Sequence, residues 1–303
     1  MKITESIEEV QEYCKELKNQ GKTVALIDTF GDLHSGHTSI INTAKSNADA
    51  VILFVWHAFR RFRPDIDYIN KPDNPKENLL KYKQKEFNSD VELCEKGEVD
   101  LFLNFVNAWD FLSPKDIVTP LFPPGVKQVV EKRWTASIYN LQVWSEMVKI
   151  VNPDILVVGQ KDFYQTTLIS FVLNALNIPV KVVVSPTLRD SDGIAYSSRN
   201  KFLSLDERRK AINIYKTLKE ISEWPSYPSV REIKHYFIKG CGLVSSGRRA
   251  YVKKEPDHVW YVDVCDPKTG EPLKIIDKEA AIVVAVNFGE DIHLSDNIVI
   301  HPR

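Results

Sequence analysis

Cysteine is scarce. The 303 residues hold four (Cys14, Cys94, Cys241 and Cys265), with no CxxC pair and no histidine at ligand spacing. That pattern excludes a disulfide framework and a zinc module, and predicts reduced, buried thiols in a cytoplasmic protein. Uncharged apolar runs stay well short of the roughly 20 residues that span a bilayer, so no membrane partner is expected. Residues 1–22 carry the pattern of an amphipathic helix rather than an apolar signal sequence. Charge of either sign is not in excess: 40 Lys+Arg face 41 Asp+Glu, a net of -1. Such a balance creates no general field for nucleic acid, although a local basic patch can still hold a phosphate. Internal repeats and low-complexity segments are absent as well.

What is present is enough apolar residue, 43%, to fill a substantial core. Residues 5–19 place Ile7, Val10, Tyr13, Cys14 and Leu17 at helical spacing. Short β-branched runs at 23–28 and 49–56 read as buried parallel strands, and 99–105, 154–159 and 180–186 as further strands. Helical patterns at 81–96, 135–150 and 166–177 alternate with them, which predicts an α/β fold with a parallel sheet. Residues 57–80 read as a loop or lid, and 106–125, with four prolines, as irregular. Beyond residue 187 the texture changes: 205–240 is charged and helical, and 248–303 holds short strands joined by turns. Two domains follow, a nucleotide-binding catalytic one over 1–187 and a smaller α+β one over 188–303.

Three motifs carry chemistry. His34-Ser35-Gly36-His37 follows a strand and opens a helix. Two imidazoles three residues apart at a helix N-terminus lie on one side, beside unpaired amides at the positive end of the helix dipole. A phosphate fits there, and the imidazoles can stabilise charge building on it as pyrophosphate leaves. Two histidines that only cap the helix are the bland alternative. Gly159-Gln160-Lys161-Asp162 closes the strand at 154–159. In open α/β sheets ligands bind at the carboxyl ends of strands, so this loop and the histidines are expected to face one crevice. Lys161 then supplies a compact positive charge and Asp162 an acceptor for ribose hydroxyls. Ser197-Ser198-Arg199-Asn200 offers two hydroxyls and a guanidinium to phosphate, or merely a turn that caps the following helix.

In this order and at these separations, the motifs resemble those of the pantothenate synthetase (pantoate–β-alanine ligase) family, within the HxGH nucleotidyltransferase superfamily. The family patterns PTMGxLHxGH, GxKDxQQ and DGLAxSSRNxYL stand here as DTFGDLHSGH (28–37), GQKDFYQ (159–165) and DGIAYSSRNKFL (192–203). The resemblance continues through VDVCDPKTGEPL (262–273) and AAIVVAVNFG (280–289). It implies a Rossmann-like parallel sheet and a two-step reaction, in which ATP and a carboxylic acid give an acyl-adenylate that an amine converts to an amide. No covalent enzyme intermediate is needed, so the lack of a nucleophile pair is no objection.

By the same resemblance His34, His37, Lys161, Ser197, Ser198 and Arg199 act on the phosphates. Thr29, Phe30, Gly36, Gly159 and Asp162 contact the rest of ATP, Asp90 lies near Mg2+, and Gln165 touches the acid. A homodimer formed through the first domain is also implied.

The acid half of the pattern departs from the family. FVWHAFRRF (54–62) puts Trp56 and Phe59 where the family has Asn and Gln, Ala136 replaces a histidine, and Tyr164 the first Gln of the QQ pair. A buried hydroxyl without its partner costs about 1–3 kcal/mol. These changes predict an acid other than pantoate, amino acids among them, with Asp28 available to a substrate ammonium. The alternatives are pantoate–β-alanine ligation itself and a nucleotidyltransferase that releases an activated nucleotidyl product.

Overall fold

The structure, a computed structural model, describes residues 1–56, 75–105, 144, 146–245, 257–289 and 292–302, with 56, 75–85, 105 and 175 described in backbone only. The chain divides into two compact units.

The first unit is built on six parallel strands: β1 (Lys2–Thr4), β2 (Val24–Thr29), β3 (Ala50–Trp56), β4 (Leu101–Phe105), β5 (Ile155–Gly159) and β6 (Lys181–Ser185). Their order is β1-β4-β3-β2-β5-β6, every neighbouring pair parallel. Val24 to Ile27 and Val51 to Val55 are all buried, which is why these runs are continuously apolar rather than alternating. β1 lies at one edge and was not expected. Three residues are too few to show a strand period, and they fall in the 1–22 stretch read as an amphipathic helix, which begins only at Ile7.

Helix α1 (Ile7–Asn19) starts where the Ser6 hydroxyl accepts the Glu9 amide at 3.2 Å, with Glu8 and Glu9 in its first turn and Lys18 in its last. It buries Val10, Cys14 and Leu17. Helix α2 (Ser35–Lys45) buries Ile41 and Ala44 in the core formed by Ala25, Ile27, Val51, Leu53, Val55 and Phe102. Helix α3 spans Pro75–Lys96, so residues 75–80, read from the sequence as part of a loop or lid, are helical. Proline suits that first helical position because its missing amide would have no partner there. Most of the lid segment, most of the irregular segment and most of the helix expected over 135–150 lie outside the described residues; 144 and 146–151 are helical.

Strand order reverses between β2 and β5, since β3 and β4 follow on one side and β6 on the other. The carboxyl ends of β2 and β5, at Thr29 and Gly159, therefore flank the switch point at which open α/β sheets bind ligands.

The second unit comprises 160–168 and the chain from Thr187 onward. Helix α4 (Phe163–Ala175) begins in it. The charged, helical stretch 205–240 consists of helices α5 (Leu205–Ser222) and α6 (Val230–Gly240), separated by a segment containing Pro225 and Pro228. Strands β7 (Val244–Ser245), β8 (His258–Cys265), β9 (Ala280–Phe288) and β10 (Ile292–Ile300) form a sheet in the order β10-β9-β8-β7. Its pairs are antiparallel except β7 with β8. Both faces of β9 are covered. Ile282, Val284 and Val286 meet Leu218, Ile221, Ile233 and Phe237 of the helices, while Ala281, Val283 and Ala285 meet Phe163, Tyr164 and Tyr261. Alternation along a strand sends these two sets to opposite faces. No described helix is long and apolar enough to cross a membrane.

Candidate active site

In the first unit the site grows from the end of β2. Gly31 and Asp32 follow it in the left-handed region, at φ 77° and 56°. A Cβ on Gly31 would stand 3.1 Å from Asp90 Oδ2 and 3.3 Å from Val55 Cγ1, so only glycine fits. Asp90, on α3 and 2% exposed, accepts the amides of Asp32 at 3.0 Å and Leu33 at 2.6 Å. Burial pushes its pKa up to about 6 against the lowering effect of those two amides. The loop is thereby pinned just before His34.

His34 is the N-cap of α2, in extended backbone conformation, and its Nδ1 accepts the Gly36 amide at 3.1 Å. His37 answers three residues later: its Nδ1 accepts the His34 amide at 3.2 Å. This is a capping box made by two imidazoles. Because each Nδ1 accepts a backbone N–H, each ring carries its proton on Nε2. His37 Nε2–H then donates to Thr29 Oγ1 at 3.2 Å, and the two ring centroids are 4.2 Å apart. The imidazoles are thus neutral donors through Nε2 rather than cations. Gly36 spends its amide on His34.

Asp28, one residue before Thr29, accepts the indole N–H of Trp144. Its carboxylate, expected to meet a substrate ammonium, already has a donor. Phe30 is half-buried beside Gly31. Trp56 ends β3, and its side chain, like Phe59 and Ala136 altogether, lies outside the described residues.

Gly159 ends β5, and a Cβ there would meet Ile40 Cδ1 of α2 at 3.4 Å. The remaining expected residues belong to the second unit. Lys161 donates through Nζ to the Tyr196 carbonyl at 3.0 Å, immediately before Ser197. The Asp162 carbonyl accepts the Thr166 amide at 3.0 Å, starting α4; Asp162 itself, just before the helix, is exposed, and Gln165 within it is half-buried. Ser197 caps a 3-10 turn (Ser198–Phe202) by accepting the Arg199 amide at 3.3 Å. Ser198 and Arg199 are half-buried in its first turn, and Asn200 Nδ2 donates to the Ala195 carbonyl at 3.0 Å. The motif therefore caps its own short turn; α5 is capped separately by Ser204.

Tyr164 has a structural explanation. Its hydroxyl donates to Asp263 at 2.8 Å and its ring packs with Phe163 and Tyr261, where burial raises its pKa. Among the described residues no three His, Cys, Asp or Glu side chains group as a metal site. Sequence reasoning missed Trp144 as the partner of Asp28 and Asn297 as the partner of the Lys161 loop. Neither residue sits in a motif, and their roles arise from contacts 116 and 136 positions apart.

A sequence profile of the pantoate-β-alanine ligase family matches residues 2–299. The pantothenate synthetase of Caldicellulosiruptor bescii is 28% identical over 309 residues, covering 100% of both chains. Pantothenate synthetase from Thermus thermophilus superposes with a TM-score of 0.76 at 24% identity, over 100% of both chains. The pantoate-β-alanine ligase of Francisella tularensis, solved with β,γ-ATP and β-alanine, gives 0.67 at 22% identity over 99% of this chain and 97% of that one. The parallel sheet, its histidine-capped helix and the full-length match together place the molecule among the ATP-dependent, AMP-forming ligases that join an acid to an amine. The chain belongs to the pantoate–β-alanine ligase family.

Proposed function

We propose that this enzyme condenses pantoate with β-alanine to give pantothenate, cleaving ATP to AMP and pyrophosphate. The observation that carries the proposal is the reciprocal cap of His34 and His37, standing at the switch-point end of β2 in a chain matched by its family from residue 2 to 299. The Francisella relative crystallised with an ATP analogue and β-alanine supports the choice of cosubstrate.

In the first step a pantoate carboxylate oxygen attacks the α-phosphorus of ATP. The bond from that phosphorus to the bridging oxygen breaks, and pyrophosphate leaves with the electron pair. His34 offers Nε2–H to the oxygens where charge accumulates, and His37 does so by exchanging Thr29 Oγ1 for a phosphate oxygen, which fits electrostatic stabilisation better than proton transfer. Lys161, Ser197, Ser198 and Arg199 hold the leaving phosphates. Gly159 and Asp162 meet the ribose, Thr29 and Phe30 the adenosine side, and Gln165 the acid. In the second step the β-alanine amine attacks the acyl carbon, AMP leaves, and the nitrogen sheds a proton to solvent.

Asp90 fits Mg2+ in part. Each of its oxygens holds one backbone amide and keeps a lone pair, and Mg2+ commonly takes one carboxylate with phosphate oxygens and water. When bound, the ion would neutralise charge on the triphosphate. A homodimer through the first unit completes the family reading.

The expectation of a different acid rested on Trp56, Phe59, Ala136 and Asp28. The first three offer no described side-chain geometry, Asp28 is engaged by Trp144, and the full-length family match favours pantoate. The test is pyrophosphate release with ATP across hydroxy and amino acids, with product identified by mass. Pantoate with β-alanine is expected to reach a kcat/KM of about 10⁴ M⁻¹s⁻¹ or more. Preference for another acid by about 100-fold overturns the assignment of pantoate. Accumulation of an adenylate that β-alanine does not consume overturns the ligase step.

A further inference from the structure

Two successive residues of β10 tie together both phosphate motifs of the second unit. Asn297, 2% exposed, donates from Nδ2 to the carbonyls of Gln160 at 2.8 Å and Lys161 at 3.0 Å. Both neighbours are carbonyl oxygens, so only the NH2 end of the amide can face them. Its Oδ1 is buried without a hydrogen-bond partner among the described residues, a cost that fixes the orientation on the loop. Asp296, 3% exposed, accepts the Asn297 amide at 2.8 Å through Oδ1 and holds Arg189 with both oxygens, at 2.6 and 2.9 Å. Arg189 in turn stacks on Tyr215 at 3.4 Å and donates to the Gly193 carbonyl at 3.2 Å. It lies in the hairpin that pairs Arg189 with Ala195 and leads directly into Ser197. Lys161 closes the circuit through the Tyr196 carbonyl.

From this network we infer that Asn297 is a positioning residue for Lys161, with Asp296 holding the Ser197–Arg199 motif in register through Arg189. The inference rests on the reading that Lys161 meets ATP phosphate. Across a trans peptide the carbonyl and the following N–H point in opposite directions. Turning the carbonyls of Gln160 and Lys161 onto Asn297 therefore turns the amides of Lys161 and Asp162 away from β10 and sets the direction in which the lysine leaves the backbone. A loop without those two bonds samples other peptide orientations, and Lys161 reaches its target in only a fraction of them. A purely structural asparagine would alter stability and leave the work of Lys161 untouched.

The experiment is a double-mutant cycle on the full-length enzyme, reading pantoate-dependent pyrophosphate release together with thermal unfolding. Asn297→Ala is expected to lower kcat about tenfold, or 1.4 kcal/mol in barrier. In a Lys161→Ala background the same change should add less than about twofold. Asn297→Ser, which retains a donor and disturbs packing less, should recover part of the rate and serves if the alanine variant does not fold. Full additivity of the two changes, or a fall in melting temperature with kcat intact, overturns the positioning role while leaving Lys161 on the phosphate. An unchanged rate in Lys161→Ala alone overturns the phosphate reading, and this inference with it.

Discussion

Asp90 Oδ1 accepts the Leu33 amide at 2.6 Å, fastening the buried face of α3 to the loop that delivers His34. The bond joins residues 57 positions apart and sets where α2 begins. Replacing Asp90 with Asn leaves one acceptor and presents an NH2 group to the other amide. The expected cost is about 1–3 kcal/mol, read as a lower urea midpoint at unchanged slope. If Asp90 also meets Mg2+, the same variant needs more of the ion for half-maximal rate. A lower midpoint with unaltered Mg2+ dependence would confine the residue to the loop.

His37 has two duties that a substitution can separate. Glutamine at the third helical position can still reach back to the N-cap amide, as in the ordinary capping box, yet it lacks the imidazole Nε2–H. His37→Gln is therefore expected to keep its melting temperature within a few degrees while losing at least about tenfold in pyrophosphate release. His37→Ala should lose both, because removing such a cap costs about 0.5–2 kcal/mol. Equal rates in wild type and His37→Gln would reduce the pair to a helix cap.

The four thiols give a prediction in pH. Burial pushes Cys14 up to about 11 and Cys94, Cys241 and Cys265 up to about 12. An unfolded thiol titrates near about 8.5, so above that pH the unfolded chain loses protons that the folded chain keeps. The stability they contribute is complete below about 8.5 and is lost as pH rises through 11 to 12. Urea midpoints should fall between about pH 8 and pH 10, and a maleimide should leave all four residues unlabelled in the native protein at neutral pH. Rapid labelling of Cys265 would contradict its burial.

Much of the fold was legible because its signals are local. All five predicted strands appear, as β2 to β6, within two residues at each end; β2 and β3 were the plainest, since a strand covered on both faces must be apolar at consecutive positions. The 205–240 stretch, read as charged and helical, is helical over Leu205–Ser222 and Val230–Gly240, with the break falling at Pro225 and Pro228. Edge strand β1 escaped notice because three residues paired with β4 carry no period of their own.

The sequence by itself determined the alternation of strand and helix, the three motifs and the family they mark. These reside in residue types at fixed spacing, which survive without knowledge of contacts. Tertiary structure decided what the motif residues are bonded to. Asp90 became the anchor of a left-handed turn, Asp28 the acceptor of an indole N–H, and Tyr164 part of the second unit's core. Even the proton positions on His34 and His37 follow from backbone amides that only the folded loop brings into reach. The physical reason is common to all of them: a polar group withdrawn from water must find a partner, and for Asp28, Asp90 and Asn297 the fold supplies one from 57 to 137 residues away.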